Sequence, residues 1–212
     1  TLVVATSISG NTDEVVSILK NSKKSKARFI SFSSDGNLEK ISIKNNIDYI
    51  KIPQSHSPRA SLPSFLYSIL NILENIIPIK KNDVTESISK LEQTQKLISS
   101  SNLNEKNPSL SLASWIKNIP IIYYPWGLQS AAIRFKNSLQ ENAKIHTISE
   151  DMIEACHNGI VPWENKTNVQ PILIQGYDDY IKTKERWKIF KEFLQSQQID
   201  FKEVNSGKGN IL

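Results

Sequence analysis

The sequence predicts an α/β protein of two doubly wound units, each a parallel sheet flanked by helices. Three observations point there. Apolar runs of strand length recur along the chain and alternate with stretches of helical periodicity. The runs are short and continuous, as buried parallel strands require. The alternation pauses at a serine- and asparagine-rich stretch, 99–108, and restarts beyond it, which divides the chain into 1–106 and 107–212.

In the first unit, residues 2–5, 28–32 and 48–52 are predicted strands, separated by predicted helices over 13–20 and 38–43. The Pro58-Arg59-Ala60 step then opens an apolar helix over 62–77. A more polar helix over 84–99 follows, on which Ile88, Leu91, Gln95 and Ile98 share a face. In the second unit the predicted order is strand 119–124, helix 129–140, strand 145–148, strand 170–175, helix 180–197 and strand 201–204. No internal sequence repeat is strong enough to show duplication.

Composition narrows the function. The chain has 212 residues, 39% hydrophobic and 22% charged, and a net charge of +5, an ordinary balance for a globular protein. The positive charge is mostly lysine, since Arg28, Arg59, Arg134 and Arg186 are the only arginines. These residues are scattered and form no basic stripe interleaved with aromatics, so nucleic acid is not an expected partner. No membrane span or signal peptide is apparent, and a cytoplasmic location is expected by default. The single cysteine, Cys156, excludes an internal disulfide framework.

Chemistry concentrates in the turn TSISGNTDE, residues 6–14, between the first predicted strand and helix. A strand-to-helix turn needs a glycine and one capping residue, which Gly10 with Asn11 or Thr12 would supply. The hydroxyls of Ser7, Ser9 and Thr12 exceed that need. Two readings stand: a Ser/Thr-rich cap without a ligand, or an anion site in which the hydroxyls and the first free N–H groups of the helix hold a phosphate.

These residues carry a resemblance. SISGNTDE resembles the phosphosugar-binding loop of sugar isomerase (SIS) domains, and PRASLP (58–63), FKNSLQENAK (135–144) and HNGIVPWE (157–164) resemble, in order, the bifunctional phosphoglucose/phosphomannose isomerases. The resemblance extends over nearly the whole chain. It implies two SIS-type subdomains, the first lacking its N-terminal part and the second its C-terminal end. It also implies an aldose–ketose isomerase interconverting glucose 6-phosphate or mannose 6-phosphate with fructose 6-phosphate through a cis-enediolate. No metal or other cofactor is implied.

By the same resemblance Ser7, Ser9 and Thr12 bind the substrate phosphate, Arg59 stabilises the enediolate, Glu141 is the proton-transferring base and His157 opens the sugar ring. Each residue also has a plainer reading: Arg59 as a solvated surface arginine, Glu141 as a solvated helix end, and His157 as a loop histidine beside Asn158 and Gly159. The sequence departs from the family where Ile8 replaces a tyrosine and where Gly159 and Pro162 replace a glutamate and a glycine. The family's ring-opening lysine and epimer-selecting threonine have no counterpart here, and Lys208, between two glycines, does not match their helix. A homodimer with active sites near the subunit interface is the implied assembly. The alternatives are a non-catalytic phosphosugar-binding module and an amidotransferase half, the latter disfavoured because Cys156 is internal.

Overall fold

The computed structural model describes residues 1–209. Two compact units divide the chain, Thr1–Val84 and a second from Thr85 onward. No helix among the described residues is long and apolar enough to cross a membrane.

The first unit begins with β1 (Leu2–Thr6) and α1 (Asp13–Lys20), followed by β2 (Arg28–Ser33), α2 (Gly36–Asn45) and β3 (Asp48–Lys51). The strands form a parallel sheet in the order β1-β2-β3. Alternation along the central strand sorts its side chains between two layers. Ile30 and Phe32 pack with Ile52 against Phe65 and Ile69 of α3 (Leu62–Ile72). On the other face Ala5 joins Val16 and Leu19 of α1 and Leu38 of α2. Ser31 of β2 also faces α2, where its hydroxyl meets that of Ser42 at 2.7 Å, both residues being fully buried. That pair satisfies two polar groups that would otherwise be costly in the core.

The helix α4 (Lys81–Ile98) contains the division between the two compact units, at 84/85. Beyond it, α5 (Pro108–Trp115) occupies residues next to the supposed linker. The Asn107 side chain caps α5 by accepting the N–H groups of Ser109 and Leu110, with Pro108 at the first helical position.

The second unit continues through β4 (Ile119–Tyr124), α6 (Gln129–Ser138), β5 (Ile148–Asp151), the short helix α7 (Met152–Glu154), β6 (Val169–Gln175), α8 (Ile181–Ser196) and β7 (Lys202–Asn205). Its sheet is parallel, in the order β5-β4-β6-β7. One face buries Ile121, Tyr123 and Leu173 under Trp187, Phe190 and Leu194 of α8, together with Met152, Ala155 and Trp163. The opposite face buries Ile122, Tyr124, Ile172 and Ile174 beneath α6, with partly buried Leu112 and Trp115 of α5 alongside. Phe190 meets the Tyr123 ring edge-on, with centroids 5.0 Å apart.

Candidate phosphosugar site

The Ser7–Thr12 loop is fixed by its backbone before any side chain is considered. Ser7 N–H donates to the Phe32 carbonyl at 3.1 Å, and Gly10 N–H donates to the Ser7 carbonyl at 3.0 Å. Ser34 N–H reaches the Ile8 carbonyl and Leu38 N–H the Gly10 carbonyl, each at 2.9 Å. The loop after β1 is thereby stitched to the loop after β2. Gly10 adopts φ +64°, and a Cβ there would lie 1.8 Å from the Asp35 carbonyl oxygen. Only glycine allows that approach.

The three predicted hydroxyls come together on this frame. Ser7 Oγ lies 2.8 Å from Thr12 Oγ1 and 3.5 Å from Ser9 Oγ. Thr12 occupies the N-cap position of α1, yet its side chain makes no capping hydrogen bond. The hydroxyl that would cap α1 meets that of Ser7 instead. Asp13 and Glu14 occupy the first turn of the helix, where they complement its dipole.

Arg59, in the same unit, lies in the 3-10 turn Pro58–Ser61 that precedes α3, and its side chain is exposed. Glu141 and His157 belong to the second unit, one before β5 and the other after it. Glu141 lies on the π turn Leu139–Ala143 that prolongs α6, beside Gln140, whose amide reaches the Thr147 carbonyl at 3.5 Å. Lys144 closes that turn with φ +59° and donates its ammonium to the Glu141 carbonyl at 2.6 Å. His157 lies on a second π turn, Ala155–Gly159, which prolongs α7. Glu141 and His157 are exposed on the single chain.

Further groups surround the His157 turn. Asp151 Oδ1 caps α7 by accepting Ile153 N–H at 2.8 Å and Glu154 N–H at 3.4 Å. Asn158 Nδ2 donates to Glu154 Oε1 at 3.3 Å. Trp163 Nε1 donates to the Tyr123 hydroxyl at 2.9 Å in the core. Burial pushes the Tyr123 phenol far above its ordinary range, the Trp163 hydrogen bond opposing and Glu150 reinforcing the shift. Burial also raises the Glu150 carboxyl, with the Glu154 and Asp151 carboxylates adding to the effect. The Cys156 thiol is likewise raised by burial, with Arg186 opposing.

Glu150 is the residue that the sequence reading misses. Its signal was register: once β5 spans 148–151, Glu150 stands opposite Tyr123 and leaves the sheet on the core face. Two open clefts, about 640 and 420 Å³, also occur in the second unit, one along Trp163–Gln170 and the other beside α8 and the ends of β6 and β7. Neither is lined by Glu141 or His157.

Residues 105–212 match the model of the bacterial phospho-glucose isomerase C-terminal SIS domain. The chain belongs to that family. Among relatives of this SIS protein, a bifunctional phosphoglucose/phosphomannose isomerase of Caldicellulosiruptor bescii is 28% identical over 204 residues, covering 92% of the chain and 60% of the relative. One from Thermoplasma acidophilum is 27% identical over 212 residues, covering 99% and 63%, and one from Thermoplasma volcanium is 33% identical over 162 residues, covering 75% and 48%. The SIS chain therefore spans at most 63% of these three curated relatives. Among solved structures, it matches tagatose-6-phosphate ketose/aldose isomerase from Escherichia coli with a TM-score of 0.71 at 14% identity, covering 99% of this chain and 58% of that one. It matches glucosamine-6-phosphate deaminase from Thermotoga maritima with a TM-score of 0.70 at 12% identity, covering 98% and 60%. At such identities the structural likenesses bear on the fold alone.

Proposed function

We propose that this SIS chain belongs to an aldose–ketose isomerase that interconverts glucose 6-phosphate or mannose 6-phosphate with fructose 6-phosphate. The observation that carries the reading is the Thr12 hydroxyl, which leaves the α1 cap and joins Ser7 and Ser9. Three neutral hydroxyl donors at a helix N-terminus suit a phosphate better than they suit the helix.

The chemistry follows from the groups at hand. His157 assists opening of the sugar ring by moving a proton to the ring oxygen. Glu141 takes the proton from C2 of the open-chain aldose, and the C–H electron pair forms the C1–C2 double bond of a cis-enediolate as the carbonyl pair settles on O1. The Arg59 guanidinium stays charged and offsets the developing negative charge. The proton held by Glu141 then goes to C1, while the O2 proton passes to O1 and the carbonyl forms at C2. Homodimerisation that brings active sites near the subunit interface completes the proposal, in the cytoplasm.

A non-catalytic phosphosugar-binding module is the second reading, favoured by the exposure of Glu141 and His157 on the single chain. The test is formation of fructose 6-phosphate from each aldose. Turnover of both supports the isomerase. Binding of either aldose phosphate without turnover supports the module.

A further inference from the structure

Strand β5 carries a carboxyl group to which the proposed reaction gives no task. Glu150 is paired in register with Tyr123 of β4, so both side chains leave the sheet on the face covered by α8 and the Ala155–Gly159 turn. A Cβ on Gly159 would lie 2.6 Å from each Glu150 carboxylate oxygen. The carboxyl group is therefore seated against the bare Cα of the residue two positions beyond His157. Farther along the same segment, Trp163 is tied to Tyr123 by its 2.9 Å hydrogen bond. A single rung of the sheet, on two adjacent strands, thus holds the His157 segment at two points: Glu150 at Gly159, and Tyr123 at Trp163.

We propose that Glu150 is a positioning residue for His157, its carboxyl group setting the conformation of the turn that presents the imidazole. The contact explains why position 159 lacks a side chain, because any Cβ would occupy the carboxyl group's place. Asp151 acts on the same segment through the α7 cap and Glu154 through Asn158. Of these acids, Glu150 is the one seated against Gly159. The catalytic consequence rests on the isomerase reading, whereas the positional one does not.

The geometry offers two independent ways to remove the contact. Glu150→Ala deletes the carboxyl group. Gly159→Ala displaces it, at small cost to the fold because the displaced atoms end a flexible side chain. The imidazole C–H signals of the three histidines, assigned with His157→Ala, report the turn's conformation without substrate. Both variants should shift the His157 signal in the same direction, and Glu150→Gln, which retains the shape, should leave it near the parent position. In the isomerase assay, each of the two should lower kcat about 10- to 100-fold with KM little changed, the loss expected when a reacting group is slightly misplaced. The double variant should be no worse than either single one.

Unmoved His157 signals in both Glu150→Ala and Gly159→Ala would overturn the proposal. So would losses that multiply in the double variant, or a Glu150→Gln signal displaced as far as that of Glu150→Ala. If the parent protein has no isomerase activity, the functional reading fails and the histidine signals still decide this one.

Discussion

The Thr12 hydroxyl lies 2.8 Å from that of Ser7, the first residue after β1. The end of β1 and the start of α1 are thus joined by a pair of hydroxyls, and Ser9 extends the group by one more. Ser7 is buried, which holds its hydroxyl in place while Ser9 and Thr12 remain exposed.

Loss of a single outer hydroxyl should weaken anion binding while leaving the loop folded. Ser9→Ala and Thr12→Val are each expected to reduce glucose 6-phosphate affinity by about 1–3 kcal/mol, as for a lost charge-assisted hydrogen bond. Calorimetry with glucose as the control checks this. Parent-like affinity for the phosphate ester in both variants removes the loop as an anion site.

Backbone geometry makes Gly10 more demanding than Gly127. Both have positive φ, but a Cβ on Gly10 strikes the Asp35 carbonyl whereas one on Gly127 meets nothing within 4 Å. Gly127→Ala should cost only the left-handed backbone penalty, about 1–2 kcal/mol. Gly10→Ala must also part the two stitched loops and should cost more than about 3 kcal/mol, with phosphosugar binding lost. Urea denaturation of the two variants decides between unequal and equal penalties.

Glu141 and His157 are assigned different steps, so their variants should separate. Glu141→Gln should lower turnover by about 10²- to 10⁴-fold, the usual contribution of a positioned acid or base. An open-chain substrate analogue in deuterated water bypasses ring opening, so His157→Ala should still exchange the C2 hydrogen by NMR and Glu141→Gln should not. Exchange in the Glu141 variant removes it as the base, and loss only in His157→Ala reverses the two roles.

Tyr123 couples stability to alkaline pH. Its phenol is raised by burial, so between the unfolded value near 10 and the higher folded one the native state binds more protons than the unfolded chain. Stability should therefore fall as pH rises above about 10. Tyr123→Phe should cost about 1–3 kcal/mol at pH 7, because buried Trp163 Nε1 loses its acceptor, and should remove that part of the alkaline slope. Denaturation midpoints at pH 7 and at about pH 10.5 test both effects, and an unchanged slope in the variant would assign it to another group.

The parallel strands were legible because their signal is local. Residues 2–5, 28–32, 48–52 and 119–124 are short, largely apolar runs, and each lies within a residue or so of an observed strand. The strand expected at 145–148 lies instead at Ile148–Asp151, because the π turn after α6 and left-handed Lys144 consume the intervening chain before pairing with β4 begins. The polar SED stretch conceals a strand whose side chains are chosen by its neighbour. Helix α5 was hidden by its serines, although Asn107-Pro108 was a readable start signal.

The same distinction governs the candidate site. The nearness of Ser7, Ser9 and Thr12 follows from their spacing in a strand–turn–helix, whereas the Thr12 hydroxyl's departure from its cap depends on where Ser7 is held. The Glu150 contact is further from view, since it depends on a Cβ that Gly159 does not have.

Glu141 and His157 share one more property. Each sits where a helix ends in a turn wound wider than the α form, so each helix carries a surplus residue. Each of the two proposed proton-transfer residues is therefore set out of the α-helical register that leads to it, on a turn one residue wider than the helix before it.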